Sequence, residues 1–232
     1  INRGFKFVLY TLASYKWIVF LFFVDKVSFL NMWIFFDIGS TLVDETVAYD
    51  VYAKRLIENS SVSFPSFDQK RQELQKSGYD GNSKAREFFN LEKKEWPSEE
   101  EVVFPDAIET LLYLKKKGYK LGIIANQPKG TEERLKCYGL IDFFSLVFSS
   151  FEVGLSKPDA RLFKLALKES GSEGDNSFMV GDRLDNDIYP AKEVGMRTIW
   201  IRKGLTAMTP LSFANGKADY IISDLKDLKK IL

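Results

Sequence analysis

From Trp33 onward, short uninterrupted apolar runs recur along the chain: Trp33–Phe36, Leu121–Ala125, Leu146–Phe148, Phe178–Val180, Thr198–Ile201 and Tyr220–Ile222. Runs of this length without alternating polar positions predict strands covered on both faces. Helical patterns lie between most of them. Ala107–Lys117 sets Ile108, Leu111, Leu112 and Leu114 on one stripe and stops at Gly118. Glu132–Tyr138 stops at Gly139, Asp159–Glu169 runs from Pro158 to Gly171, and Ile188–Val194 stops at Gly195. Proline near a helix start and glycine just past a helix end are the expected punctuation. Strands alternating with helices predict an α/β fold, a doubly wound parallel sheet of Rossmann-like form.

Residues 45–103 break the alternation. They contain no convincing strand run and read as three charged amphipathic helices near Thr46–Glu58, Phe67–Lys76 and Ser83–Lys94. The expected organisation is a core of residues 32–44 and 104–232, a helical cap of residues 45–103, and an atypical N-terminal extension of residues 1–31. The extension holds 9 of the chain's 34 aromatic residues and carries a charge of +3 (Arg3, Lys6, Lys16 and Lys26 less Asp25). Phe7–Val24 is 18 mostly apolar residues, close to the ~20 that span a bilayer. Lys16 stands in its middle, where a charge costs roughly 2.5–3.5 kcal/mol. Three readings stand side by side: translated sequence ahead of a start at Met32, a membrane anchor, or a packed extension.

Composition narrows the chemistry. The 232 residues contain 33 Lys+Arg against 32 Asp+Glu, so the net charge of +1 offers no footprint for nucleic acid. Histidine is absent, which excludes a Ser-His-Asp triad and every His-containing zinc site. The single cysteine, Cys137, cannot form an intrachain disulfide and fits a reducing, cytoplasmic setting. Catalysis is thereby confined to carboxylates, Lys or Arg, hydroxyls, backbone amides or a hard metal ion.

Ligands of open α/β sheets sit at the carboxyl ends of the strands. There the sequence places Asp37-Ile-Gly-Ser-Thr41, then Asn126-Gln127, then Ser156-Lys157-Pro158, then Gly181-Asp182-Arg-Leu-Asp-Asn-Asp187. Three carboxylates converging with one lysine require a cation to stay ionised together. Oxygen ligands without His or Cys select a hard ion, most simply Mg²⁺, and Mg²⁺ beside a lysine suits a phosphoryl group.

These four motifs, in this order, resemble the haloacid dehalogenase-like hydrolase superfamily, and specifically its branch with a helical cap inserted after the first strand. The resemblance covers residues 33–232, and Val180–Ile201 is especially close to the family's last motif. It implies a Mg²⁺-dependent phosphatase acting on a small phosphorylated metabolite. Asp37 would be the nucleophile that forms an aspartyl-phosphate, and also a metal ligand. The Gly39 carbonyl and Asp182 would complete the protein ligands, with Asp187 beside them binding the metal or holding Lys157. Lys157 would neutralise the nucleophile and the phosphoryl oxygens. Ser40, Thr41 and Asn126 would hold the phosphate. Residues 45–103 would close over the substrate and exclude water.

Two positions depart from the family pattern. Its phosphatases usually carry a second Asp two residues after the nucleophile, where this chain has Gly39, and a Ser or Thr at the end of the second strand, where it has Ala125. Losing acid–base help costs ~10²–10⁴ in rate. Gly39→Asp is therefore expected to raise turnover of alkyl phosphates unless another group, such as Asp44 or Glu45, already serves as the acid. Other readings are a weak or silent member with a regulatory, ligand-binding role, or hydrolysis of C–X or C–P bonds through the same Asp. C–P cleavage would need a Schiff-base lysine from the cap, for which Lys54, Lys70 and Lys76 are available.

Overall fold

The computed structural model describes residues 32–232. Residues 1–31, and with them the three readings of the N-terminal segment, lie outside the described residues. Among the described residues no helix is long and apolar enough to cross a membrane.

The apolar runs form the predicted strands. In chain order, β1 is Trp33–Phe36, β2 Val43–Asp44, β3 Val102–Val103, β4 Lys120–Ala125, β5 Leu146–Ser149, β6 Ser177–Gly181, β7 Arg197–Ile201 and β8 Tyr220–Ile222. Six of them build one sheet in the order β5-β4-β1-β6-β7-β8, with every pairing parallel. All four β1 residues are buried, because both faces of the sheet are covered. Ile34 and Phe36 point into the apolar cluster with Leu111, Leu114 and Ile123, while Trp33 and Phe35 point into the one with Leu162, Phe163 and Met179. Each such fully buried side chain stabilises the fold by roughly 1.5–3 kcal/mol. β1 is the topological switch point: its neighbours β4 and β6 lead away in opposite directions, which opens a crevice at their carboxyl ends.

The helices are α1 Thr46–Ile57, α2 Phe64–Lys76, α3 Gly81–Phe88, α4 Ala107–Lys116, α5 Thr131–Cys137, α6 Ser150–Val153, α7 Ala160–Ser170, α8 Tyr189–Glu193 and α9 Leu228–Ile231. The helices α1–α3 follow from their own signals. Ser63 and Asp80 cap α2 and α3 with side-chain oxygens that accept from Ser66 N and Ser83 N. Ala53, Leu56, Phe67 and Ala85 give this helical layer its own apolar cluster.

Two details differ from the sequence reading. The third helix ends at Phe88, not near Lys94, because Asn90 takes a left-handed turn (φ 51°) and Leu91 folds in to join the cluster of α1–α3. Residues 45–103 also contain a strand after all: Val102–Val103 pairs antiparallel with Val43–Asp44. This two-residue ribbon ties together the two chain segments that enter and leave the helical layer, and it is too short to produce a periodic signal.

Candidate active site

Asp37 is the first residue beyond β1, and its N–H donates to Val180 O on β6 at 2.9 Å, fixing it at the crevice. Lys157 Nζ donates to Asp37 Oδ1 and to Asp187 Oδ1, both at 2.6 Å. The lysine is 5% exposed, so these two carboxylates are its working environment. Burial works against its charge, but Asp187 and Asp37 outweigh burial and hold its pKa above the ordinary lysine value. Asp182, beyond β6, completes the group: oxygens of Asp37, Asp182 and Asp187 all lie within 4.8 Å of one another.

Local structure explains how Asp187 arrives there. A wide turn of π type, Leu184–Ile188, follows β6, and Asp187 folds back so that its Oδ2 accepts from Arg183 N at 2.9 Å. A side chain at Gly181 would begin 2.4 Å from the Asp187 carboxylate, so glycine is needed at that strand end. Burial first, and then their neighbouring carboxylates, push the pKa values of Asp182 and Asp187 upward, against the pull of Lys157 on Asp187. One lysine does not balance three carboxylates in a buried setting. The donor set is all oxygen, and both the shortage of positive charge and the chemistry of the donors fit a hard divalent cation.

The remaining residues singled out by sequence sit as follows. Asn126, beyond β4, spends its amide on the main chain of Lys157: Oδ1 accepts from Lys157 N at 2.7 Å and Nδ2 donates to Lys157 O at 2.9 Å. It lines the Asp37 cavity, yet its paired contacts orient the lysine. Ser40 also lines the cavity and adopts a left-handed conformation, φ 54°. Thr41 faces the interior, fully buried; its hydroxyl has no hydrogen-bond partner among the described residues, and Thr41 does not line the cavity. Ala125 is fully buried and supplies no hydroxyl. Lys54, Lys70 and Lys76 line neither this cavity nor its neighbour.

Tyr49, which the sequence did not mark, and Glu45, named from sequence only as an alternative acid, help complete the site. The cavity over Asp37, about 130 Å³, is also lined by Glu45, Tyr49, Gln127, Arg183 and Asn186. Beside it opens a larger cavity of about 530 Å³, lined by Trp96, Pro128, Arg134 and Glu101 among others, and bordered by the same Glu45, Tyr49, Asn126 and Gln127. Glu45 and Tyr49 stand one turn apart where α1 begins, and that spacing after a strand was the available signal. Burial, then Asp37 and Glu101, push the Glu45 carboxyl up to about 8, with Ser40 and Arg134 opposing. The helical layer is pinned to the core on both sides. Arg183 pairs with Asp80 at 2.7 Å and Gln75 donates to Thr209 Oγ1 at 2.8 Å. Opposite, the buried Glu101 accepts from Trp96 Nε1 at 2.7 Å and from Arg134 at 2.9 Å.

A strand-end aspartate, a buried lysine and two further carboxylates thus meet at the carboxyl end of the central strand. Comparison with known proteins identifies the family. The family profile "Haloacid dehalogenase-like hydrolase" matches residues 34–201. The glyceraldehyde 3-phosphate phosphatase of Pyrococcus furiosus is 35% identical over 222 residues, covering 86% of this chain and 92% of that protein. The phosphoserine phosphatase of Thermus thermophilus is 33% identical over 143 residues, covering 61% of this chain and 54% of that protein. The crystal structure of a HAD phosphatase from Thermococcus onnurineus superposes with a TM-score of 0.60 at 30% identity, covering 86% of this chain and 97% of that one. The chain belongs to the haloacid dehalogenase-like hydrolases.

Proposed function

We propose that the protein is a Mg²⁺-dependent phosphomonoesterase that hydrolyses a small phosphorylated metabolite through Asp37. The observation that carries this reading is the Asp37–Lys157–Asp187–Asp182 cluster at the carboxyl end of the central strand. Relatives that are phosphatases of glyceraldehyde 3-phosphate and phosphoserine support the substrate class. Asp37, Asp182 and the Gly39 carbonyl would hold the cation, with Asp187 beside them. When bound, the cation supplies charge neutralisation to the transferring phosphoryl group. Asp37 attacks the phosphorus, and Lys157 keeps its carboxylate ionised and offsets charge on the phosphoryl oxygens. Main-chain N–H groups within the turn that follows Asp37 would bind those oxygens. The helical layer of residues 45–103 serves as the cap, and the ion pairs that pin it to the core keep bulk water out.

Purified protein incubated with a panel of small phosphomonoesters, beginning with glyceraldehyde 3-phosphate, is expected to release phosphate with Mg²⁺ and not with EDTA. Asp37→Asn is expected to abolish release. Activity that survives Asp37→Asn would remove the basis of this reading. The absence of a hydroxyl at Ala125 favours a second reading, a ligand-binding member without turnover, which would show Mg²⁺-dependent binding of a phosphoester and no release.

A further inference from the structure

We propose that Glu45 is the acid–base residue of this hydrolysis, handing a proton to the leaving oxygen and later taking one from water. The inference rests on the phosphatase reading and extends it to a residue outside the strand-end motifs.

The argument is one of position. Cleavage separates a phosphoryl group from an alcohol. The phosphoryl group belongs over Asp37 and Lys157, in the smaller cavity, and the larger cavity is the space left for the rest of the substrate. The bond that breaks therefore lies where the two cavities meet. Among the described residues, four line both: Glu45, Tyr49, Asn126 and Gln127. Glu45 is the sole carboxyl of the four. The other acids nearby are engaged. Asp37 and Asp187 bind Lys157, Asp182 belongs to the three-carboxylate cluster, and Glu101 is held by Trp96, Tyr138 and Arg134. Asp44 accepts from Thr46 N at the start of α1.

Glu45 is also oriented. Ser40 Oγ donates to its Oε2 at 3.1 Å, and among the described residues no donor meets its Oε1. A Cβ built on Gly39 would lie 2.4 Å from Glu45 Oε1 and 2.6 Å from Oε2. The carboxyl thus fills the space that a side chain at position 39 would enter, and the glycine is there to admit it. No left-handed conformation requires glycine at this position, since the positive φ of the turn falls on Ser40.

The step balances. Asp37 Oδ forms a bond to phosphorus as the ester P–O bond breaks, and the Glu45 proton moves to the departing oxygen, giving the alcohol, aspartyl-phosphate and the Glu45 carboxylate. Water then attacks phosphorus, its proton passes to Glu45, and the P–O bond to Asp37 breaks to release phosphate.

A series of ring-substituted phenyl phosphates, matched in shape and graded in leaving-group acidity, tests this. Each is assayed with saturating Mg²⁺ on wild type, Glu45→Gln, Glu45→Ala and the double variant Gly39→Asp/Glu45→Ala. Glu45→Gln is expected to lose ~10²–10⁴ in kcat on the poorest leaving group and less than tenfold on the best. The double variant is expected to regain at least tenfold over Glu45→Ala on the poorest. If Glu45→Gln fails to fold, the same comparison is read from Glu45→Ala and the double variant. A loss equal across the series, or no loss, overturns the role of Glu45 while leaving the phosphatase reading intact. A wild type inert on every phosphoester, or activity that survives Asp37→Asn, overturns both.

Discussion

At the scale of single residues, the exchange between positions 39 and 45 decides how the site is to be altered. From sequence, Gly39 looks like a missing acid, and Gly39→Asp looks like a repair. The structure favours the alternative acid named there, because the place is occupied: a side chain at 39 would start 2.4 Å from the Glu45 carboxyl, which is itself half-buried and held by Ser40. Gly39→Asp alone must push Glu45 aside and set a further carboxylate beside Asp37. Overpacking of this kind costs ~1–3 kcal/mol. The single variant is therefore expected to unfold at lower urea than wild type and to gain no alkyl phosphatase activity, whereas Gly39→Asp/Glu45→Ala recovers most of the lost stability. Urea melts of the four proteins (wild type, the two single variants and the double) measure this as a coupling between the two positions. Additive effects would mean that the two side chains do not compete for one space. Asn126 carries the same lesson. Its residue type and strand-end place were legible, but its use as a clamp on the main chain of Lys157 depends on a loop 31 residues away and has no local sequence signal.

At the scale of elements, legibility followed burial. Strands sandwiched between helices must be continuously apolar, so β1, β4, β6 and β7 were visible as runs, and glycines marked the helix ends. The β2–β3 ribbon was invisible because two residues carry no period, and Val102 is 64% exposed, so it lacks even an apolar environment. The end of α3 was misread because Leu91 continues an apolar pattern that a turn at Asn90 has already redirected. Edge strand β8 depends on one acid more than on its own short run. Asp219 Oδ2 accepts from Thr198 N at 2.8 Å and Thr198 Oγ1 at 3.1 Å, and Oδ1 pairs with Lys192. Partial burial would raise the Asp219 pKa, but the Lys192 contact and the two Thr198 hydrogen bonds outweigh it and hold it below the ordinary value. A depressed carboxylate stabilises the fold above its unfolded pKa, about 3.9, and loses that contribution as pH falls through the folded value. The Lys192 arm is solvated and counts for little. Asp219→Asn is thus expected to cost about 1 kcal/mol at pH 7, with the difference from wild type shrinking below about pH 4. Urea melts at pH 7 and pH 3.5 check it, and a difference that grows at low pH would contradict the sign.

At the scale of the whole molecule, the cluster at the crevice ties the ends of β1 and β6 and the loop after β5 into one electrostatic unit. That unit is short of positive charge: Asp37 and Asp187 share Lys157, and Asp182 has no cationic partner among the described ion pairs. Under the proposed function the site would bind a cation during turnover, so stability and function would oppose one another at Asp182. Two consequences follow for thermal unfolding. Cation binding to the folded state alone stabilises by mass action, by about 2.7 kcal/mol at a hundred times Kd. For a domain of this size each kcal/mol moves Tm by about 2–4 °C, so saturating Mg²⁺ is expected to raise Tm by roughly 5–10 °C. Asp182→Asn removes a buried carboxylate whose ionisation burial, Asp187, Asp37 and Glu45 oppose against the pull of Arg183, and keeps its shape. In EDTA that variant is expected to melt at or above the wild-type temperature, while its response to Mg²⁺ falls to near zero. Differential scanning calorimetry of both proteins, with and without Mg²⁺, reads all four values. A variant less stable than wild type in EDTA would show that Asp182 is held by protein contacts for the sake of the fold, and an undiminished Mg²⁺ response would place the cation elsewhere.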